Sequence, residues 1–290
     1  MQENKFTLSW IKSREHYDDQ ARSNLLKKFL STNNIKLNTM IDLGGGTGSF
    51  MRWCYSANIY LQKIKVIDND NNLLKNLPKF FMAYAKKNNY TLKKNNMKSY
   101  QIINNEKTHT ANLELQIADI VNNYQEINHY NLISFSAMLD LLTRDFMKKI
   151  FSIIKKDKIL YFTLCFNGRV KWNSTTKFDK YIINNFNRDQ KKNKGNGIAL
   201  GSDGYKYIKA ITLKYGYELH KDDSSWLINS DTIEKQAFQK RYIKTIYDAL
   251  KNDDVTDKKI LRDWKEQRLN LITDKLSQVR VGHDDILIKT

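Results

Sequence analysis

Residues 40–50 read Met40-Ile41-Asp42-Leu43-Gly44-Gly45-Gly46-Thr47-Gly48-Ser49-Phe50, which places four of the chain's eleven glycines within five positions, with one residue between them and an acid. The apolar run before them, "TMIDL", predicts a short strand, and "SFMRWCYSANI" after them predicts a helix. A strand that turns on glycines into a helix offers unhindered backbone N–H groups at a helix N-terminus, a natural seat for a nucleotide.

Which nucleotide is a matter of spacing. A phosphate-cradling P-loop needs GxxxxGK[ST], and no window here has it. The dinucleotide fingerprint GxGxxG fails in every register: from Gly44 the last position is Ser49, from Gly45 the second glycine is Thr47, and from Gly46 the last is Met51. Asp42 argues the same way, because a carboxylate repels a pyrophosphate at low effective dielectric and attracts a cationic ligand.

Outward from the turn, "KIKVID" reads as a second strand, and "NDNNLLKNLPKFFMAYAKKN" as a helix behind an Asn/Asp-rich cap. Asn95–Thr110 is a polar insertion, with a hairpin expected within residues 99–119. Strands follow in "LELQIAD", "YNLISFSAML" and "KILYFTLCF", with a helix "TRDFMKKIFSII" before the last. Strands alternating with helices imply a parallel sheet covered on both faces. In front, Trp10, Tyr17, Ala21, Leu25 and Leu26 fall at the spacing of one or two amphipathic helices. Residues 173–201 are polar and helix-poor in pattern, which predicts a functional loop or lid. A helix "DGYKYIKAITLKYG", a strand "YELHKDD", two long helical stretches between Thr232 and Gln278 and a strand "VRVGHDDILIKT" complete the chain.

At 290 residues one large domain is the expectation. No apolar run approaches the roughly 18 residues of a membrane span, and the start lacks an apolar core and a cleavage pattern, so a cytoplasmic location is expected. Cys54 and Cys165 lie far apart, which suits a reducing compartment and excludes a cysteine-ligated cluster. The net charge of +18 invites a nucleic-acid partner. Composition weakens that reading: Lys outnumbers Arg about four to one, and the lysines are dispersed, with only short runs such as Lys191-Lys192-Asn193-Lys194. Five histidines without ligand spacing point away from a metal, although magnesium on Asp140 and other carboxylates stays open.

The turn Asp42-x-Gly44-x-Gly46-x-Gly48 resembles the first signature of the class I S-adenosylmethionine (SAM) methyltransferases. The resemblance implies a Rossmann-like α/β fold: a seven-stranded, mostly parallel sheet with helices on both faces, an antiparallel strand near the end, an N-terminal helical lid and C-terminal helical additions. It divides residues 1–290 into a helical cap (1–34), a SAM-binding core (35–172) and an acceptor loop with helices and last strands (173–290). SAM would be the cofactor and S-adenosylhomocysteine the product. Asp42, Gly44, Gly45, Gly46 and Gly48 would line the methionyl and ribose parts, and Asp68 with Asn69 the ribose. Asp119 would accept the adenine amino group beside the Ile120 N–H, and Ser136 and Ala137 would line the adenosine side.

Taken without the resemblance, Asp68 and Asp119 each remain open to a cap or turn role. "WIKSREHYDDQARS", "FNGRVKW", "FNRDQKKNKGNGIALG", "SSWLI" and "RVGHDDIL" extend the resemblance over most of the chain, to a bacterial group that names no acceptor. "SFSAMLDLL" lacks the prolines of the methyltransferases that act on base amines, and Cys165 lacks the Pro-Cys of the RNA cytosine enzymes. A small-molecule acceptor is the reading, with an RNA acceptor or a non-catalytic SAM-binding protein as alternatives.

On the acceptor side, Arg14 and Arg22 are candidates for the methionyl carboxylate or an acidic acceptor, or else for surface pairs with Asp18 and Asp19. Arg169, after the Asn167-Gly168 turn, and Asn187 would contact the acceptor, and Trp226 would wall the pocket or pack in a core. Asp140 would edge the pocket. His283 would be the general base, or a hydrogen-bonded structural residue.

Overall fold

The computed structural model describes residues 7–32, 37–106, 108–193 and 197–290. The opening hexapeptide, Lys107 of the polar insertion and residues 194–196 of the loop, with the last lysine of the 191–194 run, lie outside the described residues.

Two N-terminal helices, α1 (Leu8–Ala21) and α2 (Asn24–Thr32), precede β1 (Thr39–Leu43), α3 (Ser49–Ser56), β2 (Lys63–Asp68) and α4 (Asn71–Lys87). Then follow β3 (Tyr90–Lys94), β4 (Ser99–Asn104), β5 (Thr110–Ile117), β6 (Leu132–Ser136), α5 (Arg144–Ile153) and β7 (Ile159–Trp172). The remainder is α6 (Asp179–Gln190), α7 (Gly204–Tyr215), β8 (Glu218–Asp223), β9 (Trp226–Asn229), α8 (Ile233–Leu250), α9 (Lys258–Thr273) and β10 (Gln278–Lys289).

The sheet order is β3-β4-β5-β2-β1-β6-β7-β10-β8, with β9 also paired to β10. From β5 to β7 neighbouring strands run parallel, and β10 runs antiparallel to both β7 and β8. This is the Rossmann-like α/β fold expected, with ten strands in place of seven. The surplus is β3 and β4, which form a hairpin that widens one edge, and β9, which "SSWLI" contributes. β1, β6 and the first half of β7 are mainly apolar because both of their faces are covered. One core lies under α2, α3 and α4, and contains Phe50, Trp53, Leu77 and Phe81. A second lies under α5 and α7, and contains Phe146, Ile150, Ile208 and Ile211.

β7 and β10 run on past the sheet as a ribbon, with register shifts between Val281 and His283 and between Asp284 and Ile286. Such irregularities re-aim side chains at the end of a sheet. The ribbon packs with β9, α6, α8 and α9 around a third core that includes Trp172, Phe186, Trp226 and Trp264. Residues 173–201 are therefore not all loop. Ile182, Ile183 and Phe186 bury one face of α6, a stripe that the surrounding asparagines dilute in the sequence.

Candidate functional site

The glycine turn joins the C-terminal end of β1 to α3. Gly44, Gly46 and Gly48 have φ of 77°, 52° and 75°, the left-handed region that glycine adopts without strain. Gly44 and Gly45 donate their N–H groups to the Ile67 carbonyl at 2.8 and 3.3 Å, which ties the turn to β2. Gly45 is required for space as well: a Cβ there would stand 2.5 Å from Asp42 Oδ2 and 2.7 Å from Val66 Cγ1.

Three acids end neighbouring strands along this edge. Asp42 is fully buried. Its Oδ1 accepts from the Ser134 hydroxyl at 2.6 Å, while its Oδ2 is buried without a hydrogen-bond partner. Burial, abetted by Asp68, pushes the Asp42 carboxyl up to about 6, against the Ser134 hydrogen bond and the Arg22 charge. Asp68, at the end of β2, accepts from Gly46 N at 2.9 Å on Oδ2 and from Asp70 N at 2.8 Å on Oδ1. Burial raises its pKa against those two bonds. The cap of α4 is Asp70, which accepts from Asn72 N and Leu73 N, so Asp68 does not serve as the cap. Asn69 is exposed beside it. Asp119 follows β5 and accepts from Val121 N at 3.0 Å, and Ile120 next to it is buried.

Ser136 and Ala137 follow on at the end of β6. Ala137 holds φ of 54° and donates its N–H to the Thr163 carbonyl at 2.8 Å.

α1 crosses this edge. Arg22, just past its end, is 2% exposed. Its Nη2 donates to the Ser49 hydroxyl at 3.2 Å and the Ser136 hydroxyl at 3.1 Å, its Nη1 to Asp19 at 2.7 Å, and its Nε is buried without a partner. The expected surface pair with Asp19 exists, yet the guanidinium itself is inside, at the mouth of the glycine turn. Glu15 anchors α1 by pairing with the buried Arg52 of α3, which also donates to the Thr47 carbonyl of the turn.

Arg14 is placed elsewhere. It forms a two-pronged pair with Asp18 at 2.9 and 3.1 Å and lies 4.9 Å over the Trp226 ring. Trp226 is buried, donates its indole N–H to Asp18 at 3.0 Å, and lies 4.6 Å from the His283 ring. His283 Nδ1 is 3.1 Å from the Val281 carbonyl, and burial together with the Arg14 charge pushes the ring down to about 3.

Arg169 is 62% exposed at its side chain and reaches Asn167 at 3.3 Å and Asp284 at 3.7 Å. Asn187 of α6 donates to the Gly168 carbonyl at 2.9 Å, and its Oδ1 is buried without a partner. Asp140 lies in a short helical turn, Leu139–Leu141, close enough to Cys165 for its charge to raise that buried thiol further.

Sequence reasoning missed three buried polar groups. Ser134 sits in an apolar strand, and only its register opposite Asp42 explains it. Asp284 accepts from Asn167 at 2.9 Å and from Lys221 at 3.1 Å. Asp285 accepts from Ser23 N, the Tyr161 and Thr163 hydroxyls and Leu164 N at 2.7 to 3.0 Å.

Among the described residues no cluster of three or more His, Cys, Asp or Glu could hold a metal ion, and no helix is long and apolar enough to cross a membrane. Two surface clefts, one lined by Phe178 and Asp263 and the other by Lys98 and Glu114, include none of the residues of the glycine turn. The edge itself carries spare capacity of both signs, an acceptor at Asp42 Oδ2 and a donor at Arg22 Nε.

No protein-family model matches the chain, and no curated protein matches it. Solved structures do. The YcgJ protein of Bacillus subtilis superposes with a TM-score of 0.50 at 12% identity, over 94% of this chain and 98% of that one. Phosphoethanolamine N-methyltransferase 2 of Haemonchus contortus, solved with phosphomonomethylethanolamine and S-adenosylhomocysteine, gives 0.45 at 12% identity over 99% of this chain and 58% of that one. A SAM-dependent methyltransferase of Thiobacillus denitrificans with S-adenosylhomocysteine gives 0.44 at 11% identity over 99% of both. At such identities the YcgJ likeness bears on the fold alone, and the fold it shares is the α/β one described above.

Proposed function

We propose that this chain is a SAM-dependent methyltransferase acting on a small molecule. The observation that carries the reading is the placement of Arg22 between Ser49 and Ser136, on the edge where Asp42, Asp68 and Asp119 end their strands. An edge with carboxylates for a ribose and an adenine amine, a buried acid near a cation and a guanidinium for a carboxylate is the complement of an amino-acid nucleoside. It is a poor complement of a row of phosphates.

In this reading Asp68 keeps lone pairs for the ribose hydroxyls beside its two backbone bonds, since a carboxylate offers about four acceptor sites. Asp119 and the Ile120 N–H meet the adenine, Arg22 the methionyl carboxylate, and Asp42 supplies negative charge under the turn. When bound, SAM would supply a methyl group already activated by its sulfonium. The protein then has to align the acceptor and exclude water. α1, held by Glu15 and Arg52, serves as the cover, and Asn187, Arg169 and Asp284 give the acceptor side polar contacts. Asp140, on the short turn after β6, would receive a proton from an acceptor that has one to lose. His283, with its ring pushed to about 3, is assigned a structural role.

Isothermal titration with SAM, S-adenosylhomocysteine, NAD and ATP tests the reading. SAM and its product should bind, and tighter binding of either phosphate-bearing ligand overturns the assignment.

A further inference from the structure

The β3–β4 hairpin is the part of the sheet that the expected seven strands do not include, and its charge differs from that of the rest. Residues 71–109, which span α4 and the hairpin, hold eight lysines against one acid, Glu106, a net +7 of the chain's +18. The seven lysines among the described residues are all exposed, and none pairs with a carboxylate among the described residues. On α8, by comparison, Lys235 pairs with Asp231, and Lys244 and Lys251 pair with Asp248. A lysine-rich composition spreads cations over the whole surface, but it does not strip one stretch of acids.

The fold sorts these lysines onto a helix stripe and a hairpin turn. Helical spacing puts Lys75, Lys79, Met82 and Lys86 on one stripe of α4, about 16 Å long at 1.5 Å per residue. The hairpin turn adds Lys93, Lys94 and Lys98 around Met97, which is 87% exposed. Leu115 N donates to the Lys98 carbonyl at 2.8 Å, which fixes the turn beside the last residues of β5, at the edge of the sheet that Asp119 occupies. α4 packs beside β3, the strand that leads into the turn, so the helix stripe and the turn's lysines belong to one edge of the sheet.

We propose that α4 and the β3–β4 hairpin dock the phosphate backbone of an RNA duplex, as a binding partner rather than a methyl acceptor. Lysines act as point charges toward phosphates, and without arginine forks the surface reads no base edges, so binding is independent of sequence. A stripe and a cluster of cations along one edge suit the closely spaced phosphates that flank the narrow major groove of A-form RNA. An anionic membrane would call for more apolar insertion than two methionines supply. The acceptor side at β7 lies five strands from β4, roughly 24 Å at about 4.8 Å per strand, so a docked duplex leaves it clear.

The test is fluorescence anisotropy of the full chain with a labelled RNA duplex of about 20 base pairs, across about 50 to 200 mM KCl. Binding should weaken steeply with salt. The variant Lys79→Glu/Lys86→Glu/Lys94→Glu should bind at least about 10-fold more weakly and flatten the salt slope by about 2 to 3, whereas Lys206→Glu/Lys209→Glu/Lys214→Glu on α7 should change affinity less than about 3-fold. Both should melt as the parent does and keep its SAM affinity. No RNA binding at low salt, equal loss in both variants, tighter binding to the matching DNA duplex, or capture by phosphatidylserine vesicles in place of RNA overturns the proposal. SAM affinity is a separate readout, so RNA binding without SAM binding refutes the methyltransferase reading alone.

Discussion

The Arg22 guanidinium and the Ser136 hydroxyl, 114 positions apart, meet at 3.1 Å at the mouth of the glycine turn. The contact joins the N-terminal helices to the end of β6 and holds a buried cation there, which the proposed reading assigns to the methionyl carboxylate. Arg22→Ala should therefore weaken SAM binding by about 1.5 to 3 kcal/mol, the range of a hydrogen bond to a charged group. Binding of 5′-methylthioadenosine, which has no carboxylate, should hardly change. Calorimetry that finds equal losses for both ligands would assign Arg22 to holding the fold instead.

Asp70 caps α4, and in the proposed reading Asp68 binds the ligand. Asp68→Ala should weaken SAM by about 1 to 3 kcal/mol through loss of the ribose contacts. Asp70→Ala removes the cap of α4 and should lower stability by about 1 kcal/mol with little change in affinity. Denaturation and titration of the two variants side by side would expose a reversed assignment.

The glycine turn was legible because its chemistry is local: left-handed backbone needs glycine, and spacing alone excluded both phosphate-binding motifs. The alternation of strands and helices was legible for the same reason. What could not be read depends on distant partners. An arginine near Asp18 and Asp19 looks like a surface residue until α1 folds it against Ser49 and Ser136. α6 hides because Ile182, Ile183 and Phe186 stand among asparagines, and Asp284 and Asp285 acquire meaning only when the irregular register of β10 aims them to their partners. The lysines of α4 and the hairpin lie in one acid-poor stretch of the chain, but that the helix and the turn bring them to neighbouring surfaces depends on how α4 packs beside β3.

Asp42 and His283 give the stability curve two opposed slopes. Asp42 titrates at about 6 when folded and near 3.8 when unfolded, so the folded state binds more protons between those values. Its contribution is fully present below about 3.8 and is lost as pH rises through about 6. Asp42→Asn should thus gain up to about 3 kcal/mol on the parent between pH 4 and pH 7, because each pH unit between the folded and unfolded titrations is worth about 1.4 kcal/mol. His283 runs the other way: its ring sits at about 3 when folded, so the unfolded state takes the extra proton below about 6.5 and stability falls as the solution is acidified. His283→Gln should remove that fall. Urea unfolding at several pH values measures both differences, and a pH-independent gap between Asp42→Asn and the parent would contradict the burial of a strained acid.

Asp285, like Asp42, is fully buried, and its four donors come from β7 and from the α1–α2 junction. The Tyr161 hydroxyl donates to the same Oδ2 that accepts from Ser23 N, so the ring and the α1–α2 junction share one acceptor. Tyr161→Phe deletes that donor while keeping the ring against Phe50 and Trp53. It should destabilise the chain by about 1.5 to 3 kcal/mol, since a buried carboxylate loses one of its bonds. Because the junction positions Arg22, SAM affinity should fall as well, by less than in Arg22→Ala. A variant that loses stability without any change in SAM affinity would show that the Asp285 network holds the sheet together but does not set the position of Arg22.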